Sequence, residues 1–139
     1  MGQTPQPPSL LIRPSEVEQV DRGAGIVTLP MVGKWNSTQS SVTTGVTSFA
    51  PGTGIPLHSH NVDECVLVLE GEATVTIGED EFDVDAGVNT WVPAGVPHRF
   101  VNRGNSLMRI FWIYGGLQVT RTITATGQTF EHLSVHDRQ

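Results

Sequence analysis

The sequence predicts an all-β fold, a small antiparallel sandwich or barrel with little helix. Three observations carry that expectation. Short stretches rich in Val, Ile, Thr and aromatic residues follow one another from residue 41 onward. Between them stand "EG", "GED", "PAGVP", "NRGN" and "GG", which are turn signals at short intervals. No long segment carries a helical period. A chain of 139 residues suffices for one domain with one core.

Taken in order, residues 1–40 read as an N-terminal tail and strap, with residues 1–8 a flexible or strap-like end. "MGQTPQPPSLL" lacks the basic flank and apolar run of a signal peptide. Gln6 stands where a myristoylation signal needs Ser or Thr. The one helix candidate is "PSEVEQVDRG" (14–23), with a Pro-Ser start, early acids and a Gly stop, about two turns long.

The barrel is expected over residues 41–125. "SVTTGVTSF" (41–49) is rich in Thr and Val. "ECVLVLEG" (64–71) is a continuous apolar run, which predicts a strand buried on both faces with Cys65 a small buried residue. "EATVTIG" (72–78) alternates, with Ala73, Val75 and Ile77 on one side. "EFDVDAG" (81–87) alternates again, Phe82 and Val84 against Asp83 and Asp85. "HRFVN" (98–102), "SLMRIFWIYG" (106–115) and "LQVTRTITA" (117–125) complete the series. Residues 126–139 read as a C-terminal tail, in which His132 and His136 are expected to be solvated.

Charge narrows the partners. The net charge is −6, Lys34 is the only lysine, and only Arg99 and Arg103 share a short stretch. Nucleic acid and anionic membrane both need basic clusters, so neither is an expected partner. No apolar run approaches the ~20 residues that span a bilayer. "GEDEFDVD" lacks the spacing of a calcium loop. A single cysteine excludes an internal disulfide and allows a reduced, cytoplasmic setting. No nucleophile elbow or phosphate loop is present.

"PLHSHNVDEC" (56–65) holds the chemistry. On a strand, His58 and His60 point to one face, ~6.6 Å apart, so both imidazoles can reach one ion at ~2.1 Å. "NVD" reads as a hairpin turn that folds Glu64 back beside them. Asp63 is the competing carboxylate, and the spacing favours Glu64, leaving Asp63 at the rim. His98, in "PAGVPHRFVN", shares a strand face with Phe100 and Asn102. Asn102 is expected to bond loop backbone.

Gly52, His58, His60, Glu64 and Gly71 read G-x5-H-x-H-x3-E-x6-G; Gly87, Pro93, Gly95, His98 and Asn102 read G-x5-P-x-G-x2-H-x3-N. Together these resemble the two motifs of the cupin superfamily, complete, with 15 residues between Gly71 and Gly87 as in small single-domain members. The resemblance spans residues 52–102. It implies a small antiparallel jelly-roll β-barrel, a homodimer, and a divalent metal held by His58, His60, Glu64 and His98.

Three imidazoles and a carboxylate suit Fe(II), Mn(II), Ni(II), Co(II) or Zn(II) without choosing among them. On "SLMRIFWIYG", Met108, Ile110, Trp112 and Tyr114 share the face opposite Arg109. If that face lines the barrel, the pocket is apolar, with Tyr114 a candidate catalytic proton donor. Phe49, Trp91 and Phe100 are further pocket candidates. With few basic groups expected inside, a small, fairly apolar substrate is favoured over a strongly anionic one. The leading expectation is a metal-dependent dioxygenase acting on a small oxygenated molecule and dioxygen. A non-oxidative isomerase or lyase, and a non-catalytic ligand-binding or sensory protein, are the alternatives.

Overall fold

The computed structural model describes residues 9–134 and Asp137. The expected tail at 1–8, and His136, lie outside the described residues. Twelve strands form two six-stranded antiparallel sheets. The first sheet contains β1 (Val20–Gly23), β2 (Ile26–Pro30), β3 (Thr43–Phe49), β5 (Glu64–Glu70), β8 (Asn89–Val92) and β10 (Met108–Tyr114), in the order β1-β2-β3-β10-β5-β8. The second contains β4 (His58–His60), β6 (Glu72–Ile77), β7 (Asp80–Asp85), β9 (His98–Val101), β11 (Thr120–Ile123) and β12 (Thr129–Glu131), in the order β12-β11-β4-β9-β6-β7. The two sheets are not joined into one hydrogen-bonded ring, so the jelly roll is a sandwich. No helix among the described residues is long and apolar enough to cross a membrane.

The alternation read from the sequence builds the core. On β10, Met108, Ile110, Trp112 and Tyr114 are buried, while Arg109, Phe111 and Ile113 are half-buried on the other face. Phe49, Val66 and Val68 join them from the first sheet, and Ala73, Val75 and Phe100 from the second. Gly45 lies opposite Trp112, and a Cβ there would meet the indole ring at 2.2 Å. That close approach is what glycine permits. The indole Nε1 donates to Thr47 Oγ1 at 2.8 Å, so its polar atom is satisfied inside the core.

Four expectations are corrected. The segment 14–23 forms one 3-10 turn at Pro14–Glu16 and then β1, because Val20 and Asp21 pair with Thr28 and Val27 of β2. Its helix-boundary residues flank no apolar stripe that a helix could bury. β5 is buried on one face only; Leu69 is 41 % exposed, and Cys65 is exposed rather than buried. The outer face of the sheet meets solvent, so a continuous apolar run did not mean burial on both sides. Phe82, on edge strand β7, is likewise exposed. Finally, "NVD" is not a hairpin turn within one sheet. It carries the chain from β4 in one sheet to β5 in the other.

Candidate metal centre

β4 presents His58 and His60 on its inner face, with Ser59 between them half-buried. β9 begins at His98, which lies directly opposite His58. The loop 93–97 delivers it there: Gly95 takes φ +83° and its N–H donates to His60 O at 2.9 Å. The crossover at 61–63 is fastened on both sides. Asn61 Nδ2 donates to Gln118 O at 2.8 Å, and Asn61 Oδ1 accepts from Thr120 N at 2.7 Å. Asp63 accepts from Ala94 N at 3.0 Å and from the Trp91 indole at 3.3 Å. Asp63 is therefore held at the exposed rim, and the next side chain, Glu64, turns inward and is buried.

Each imidazole is oriented by a backbone carbonyl. The Nδ1 atoms of His58, His60 and His98 meet Pro56 O at 2.9 Å, Thr120 O at 3.0 Å and Val96 O at 2.9 Å. A carbonyl only accepts, so each Nδ1 carries hydrogen and, in the neutral ring, each Nε2 carries the lone pair. The three rings lie 4.5–5.3 Å apart by centroid, and one ring nitrogen from each falls within 4.8 Å of the others. His60 Nε2 and His98 Nε2 are buried without hydrogen-bond partners. Glu64 Oε1 approaches His98 Nε2 to 2.7 Å without hydrogen-bond alignment. A ring nitrogen and a carboxylate oxygen in close contact suit a shared cation, and the three-imidazole cluster, with Glu64 against His98, suits a divalent ion.

The electrostatics agree. Burial, aided by neighbouring imidazoles and Arg121, holds His58 well below its ordinary range. Burial brings His60 to about 4. Burial pushes Glu64 up, but contact with His98, the charge of His60 and the Tyr114 hydroxyl outweigh it and hold the carboxyl low. Burial pulls His98 down, and its contact with Glu64 overcomes that and raises it. Burial and the Glu64 charge push Tyr114 well up, so its hydroxyl stays protonated beside Glu64.

These shifts fix the acid response of the metal-free protein. The unfolded chain protonates its imidazoles near 6.5, whereas the folded chain holds His58, His60 and His132 lower. Stability from these groups is present above that window and is lost as pH falls through it. Glu64, held low, acts in the same sense at still lower pH, and His98, held high, acts in the opposite sense. His60 alone accounts for about 2 kcal/mol between pH 7 and pH 5. Urea unfolding in chelator should show a loss of that order; an unchanged midpoint would mean that solvent reaches the rings.

The cavity at the centre is small, about 40 Å³. A water needs roughly 10–15 Å³ by this measure, so the cavity admits only small ligands. Phe49, Phe100, Ile110, Trp112 and Tyr114 line it, together with Arg22, Thr47, Ile55, His58, Glu64, His98 and Arg121. Met108 packs beneath, fully buried and off the cavity surface. A cleft of about 480 Å³ lies elsewhere, around β6 and β7, and holds none of the histidines.

Besides Met108, three site expectations are corrected. Trp91 is 60 % exposed at the rim, on the outer face of β8. His132 is buried, its ring edge-on to Tyr114 at 4.9 Å and to Trp112 at 5.2 Å. His132 therefore packs against the core beside the site. The interior also holds basic groups: Arg121 is 2 % exposed, and Arg22 lines the same cavity. One sequence signal pointed to Arg121. In "VTRTI" it alternates with Val119 and Ile123, both buried, so it occupies an apolar face. Asn102 bonds loop backbone, its Nδ2 donating to Phe49 O at 3.0 Å and Ser106 O at 2.8 Å.

Comparison with known proteins places the fold. An uncharacterized protein of Methanocaldococcus jannaschii is 32 % identical over 60 residues, 42 % of this chain and 48 % of that protein. The chain spans about half the length of the curated relatives it matches, between 38 % and 59 %. A sugar phosphate isomerase of the cupin superfamily from Silicibacter pomeroyi superposes with TM-score 0.69 at 16 % identity, covering 94 % of this chain and 100 % of that one. An oxalate decarboxylase variant of Bacillus subtilis gives TM-score 0.72 at 19 % identity, covering 81 % of this chain and 31 % of that one. At these identities the structures share the fold. The family model described as the cupin domain matches residues 45–114, half of the chain. With both motifs folded onto one cavity, the chain belongs to the cupin family.

Proposed function

We propose that this chain is a metal-dependent enzyme acting on a small oxygenated organic substrate, and that its reaction is that of a dioxygenase. The observation that carries the reading is the buried cluster of three carbonyl-anchored imidazoles, with the Glu64 carboxylate against His98, at a small cavity lined by His58, His98 and Glu64. His58, His60, His98 and Glu64 would hold one divalent ion. Such an ion supplies Lewis acidity and, as iron, electrons for dioxygen.

The protein's own side chains do the rest. Phe49, Phe100, Ile110 and Trp112 keep bulk water out and limit substrate size. Tyr114, protonated at all ordinary pH values, holds its hydroxyl against Glu64 and fixes that carboxylate. Once the histidines and Glu64 serve as ligands, the remaining titratable groups on the cavity are Arg22, Arg121 and Tyr114. None is a base at neutral pH. Isomerisation and elimination need a proton acceptor, whereas oxidation of an enol-like substrate by dioxygen places less demand on one. Tyr114 as an internal acid favours the second reading, a non-oxidative isomerase or lyase. The isomerase and decarboxylase among the solved cupins support the fold's capacity for such reactions.

Protein purified without chelator should carry about one divalent ion per chain by elemental analysis. Iron-loaded protein should consume dioxygen with a compact β-diketone or short 2-oxo acid. Turnover of such compounds under anoxia moves the assignment to the second reading. Retention of a ligand without metal or turnover would overturn both. A cytoplasmic homodimer completes the reading: Cys65 is an exposed thiol, suited to a reducing compartment, and the edges at β1, β7, β8 and β12 offer strands to a second copy. A monomer in light scattering would overturn that part.

A further inference from the structure

Arg121 stands on β11 directly opposite His60 of β4. Opposed residues on paired antiparallel strands project to the same face, so the guanidinium faces the histidine cavity, which it lines. Its positive charge acts on His58, His60, His98 and Tyr114 alike, which places it near the whole site. The fork is fixed from behind. Nη1 donates to Asp137 Oδ1 at 3.0 Å, and Asp137 Oδ2 accepts from Leu133 N at 2.9 Å and lies 3.8 Å from Arg22 Nη2. Arg121 Nη2 is buried and has no hydrogen-bond partner among the described residues.

A buried guanidinium N–H without an acceptor is costly. A carboxylate is the planar acceptor that matches the fork, and the small cavity restricts it to a short chain.

We propose that Arg121 is a carboxylate-binding, specificity-determining residue, and that the ligand is a short organic acid with a second oxygen directed toward His58, His60 and His98. Asp137 positions the fork so that its open edge faces the ligand. The proposal rests on the metal-centre reading and deepens it by naming the substrate class.

Calorimetric titration of metal-loaded protein with pyruvate, and with its neutral isostere pyruvamide, tests it, with metal content measured on the same samples. Two variants accompany the wild type. Arg121→Lys keeps a charge for Asp137 but loses the fork. Arg121→Met removes the fork and leaves Asp137 against Arg22. Pyruvate should bind the wild type, pyruvamide about tenfold or more weaker, and both variants should lose pyruvate affinity by about tenfold or more at unchanged metal content. Equal binding of the two probes by the wild type overturns the proposal whether or not a variant folds. Unchanged pyruvate affinity in folded variants, or no pyruvate binding below about 10 mM, overturns it too. If the wild type retains no metal, the metal-centre reading fails by itself. The same titration on metal-free protein then decides on Arg121: a preference for pyruvate that needs Arg121 upholds the subsite, and its absence overturns it.

Discussion

His60→Ala and Glu64→Ala protein should each leave a chelator-free purification almost without metal, while far-UV circular dichroism shows the β-sandwich intact. Loss of a partner that only orients a ligand costs ~10–100-fold in affinity, and loss of a ligand atom itself should exceed that. The fold should survive because neither side chain belongs to the apolar core, which is built from residues such as Phe49, Val66, Val75 and Met108. Asp63→Ala is the internal control. Asp63 bonds Ala94 N and the Trp91 indole at the exposed rim, so its removal should cost far less metal than loss of a ligand. Wild-type metal content in either ligand variant, or metal loss in the control instead, would show that another carboxylate or no ion occupies the centre.

Asp137→Ala carries the second large effect. Asp137 is wholly buried, and it compensates Arg121 and Arg22 from a segment that also contains His132. Removing one member of a buried pair strands the other charge and costs about 3–5 kcal/mol. It also removes the acceptor for Leu133 N, which ties down the turn after β12. Urea unfolding should report a loss in that range, and limited proteolysis should cut first in the C-terminal segment. Asp137→Asn, which keeps an acceptor, should lose less. A variant as stable as wild type would mean that the arginines find solvent, contrary to their burial.

Much of this architecture was legible in the sequence because it rests on period two. The alternation in β6 and β10 located the inner face, and the HxH spacing put two imidazoles on one side of a strand. What escaped detection depends on contacts distant in sequence. The register of β1 against β2 overrode local helix signals at 14–23. The crossover between sheets replaced a hairpin, yet Glu64 reached the same cavity because the two sheets face each other across it. His132 looked like tail because nothing near it in the chain predicts Trp112 and Tyr114 as its neighbours. Arg121 was legible in principle, from its place between Val119 and Ile123, but its stabilising partner, Asp137, sits sixteen positions onward.

The three histidines come from one layer of the sandwich and Glu64 from the other. An ion gripped by all four would rivet the two layers, so that prying them apart and releasing the ion become a single event. Heat resistance would then track occupancy, and a melting curve would serve as a gauge of affinity.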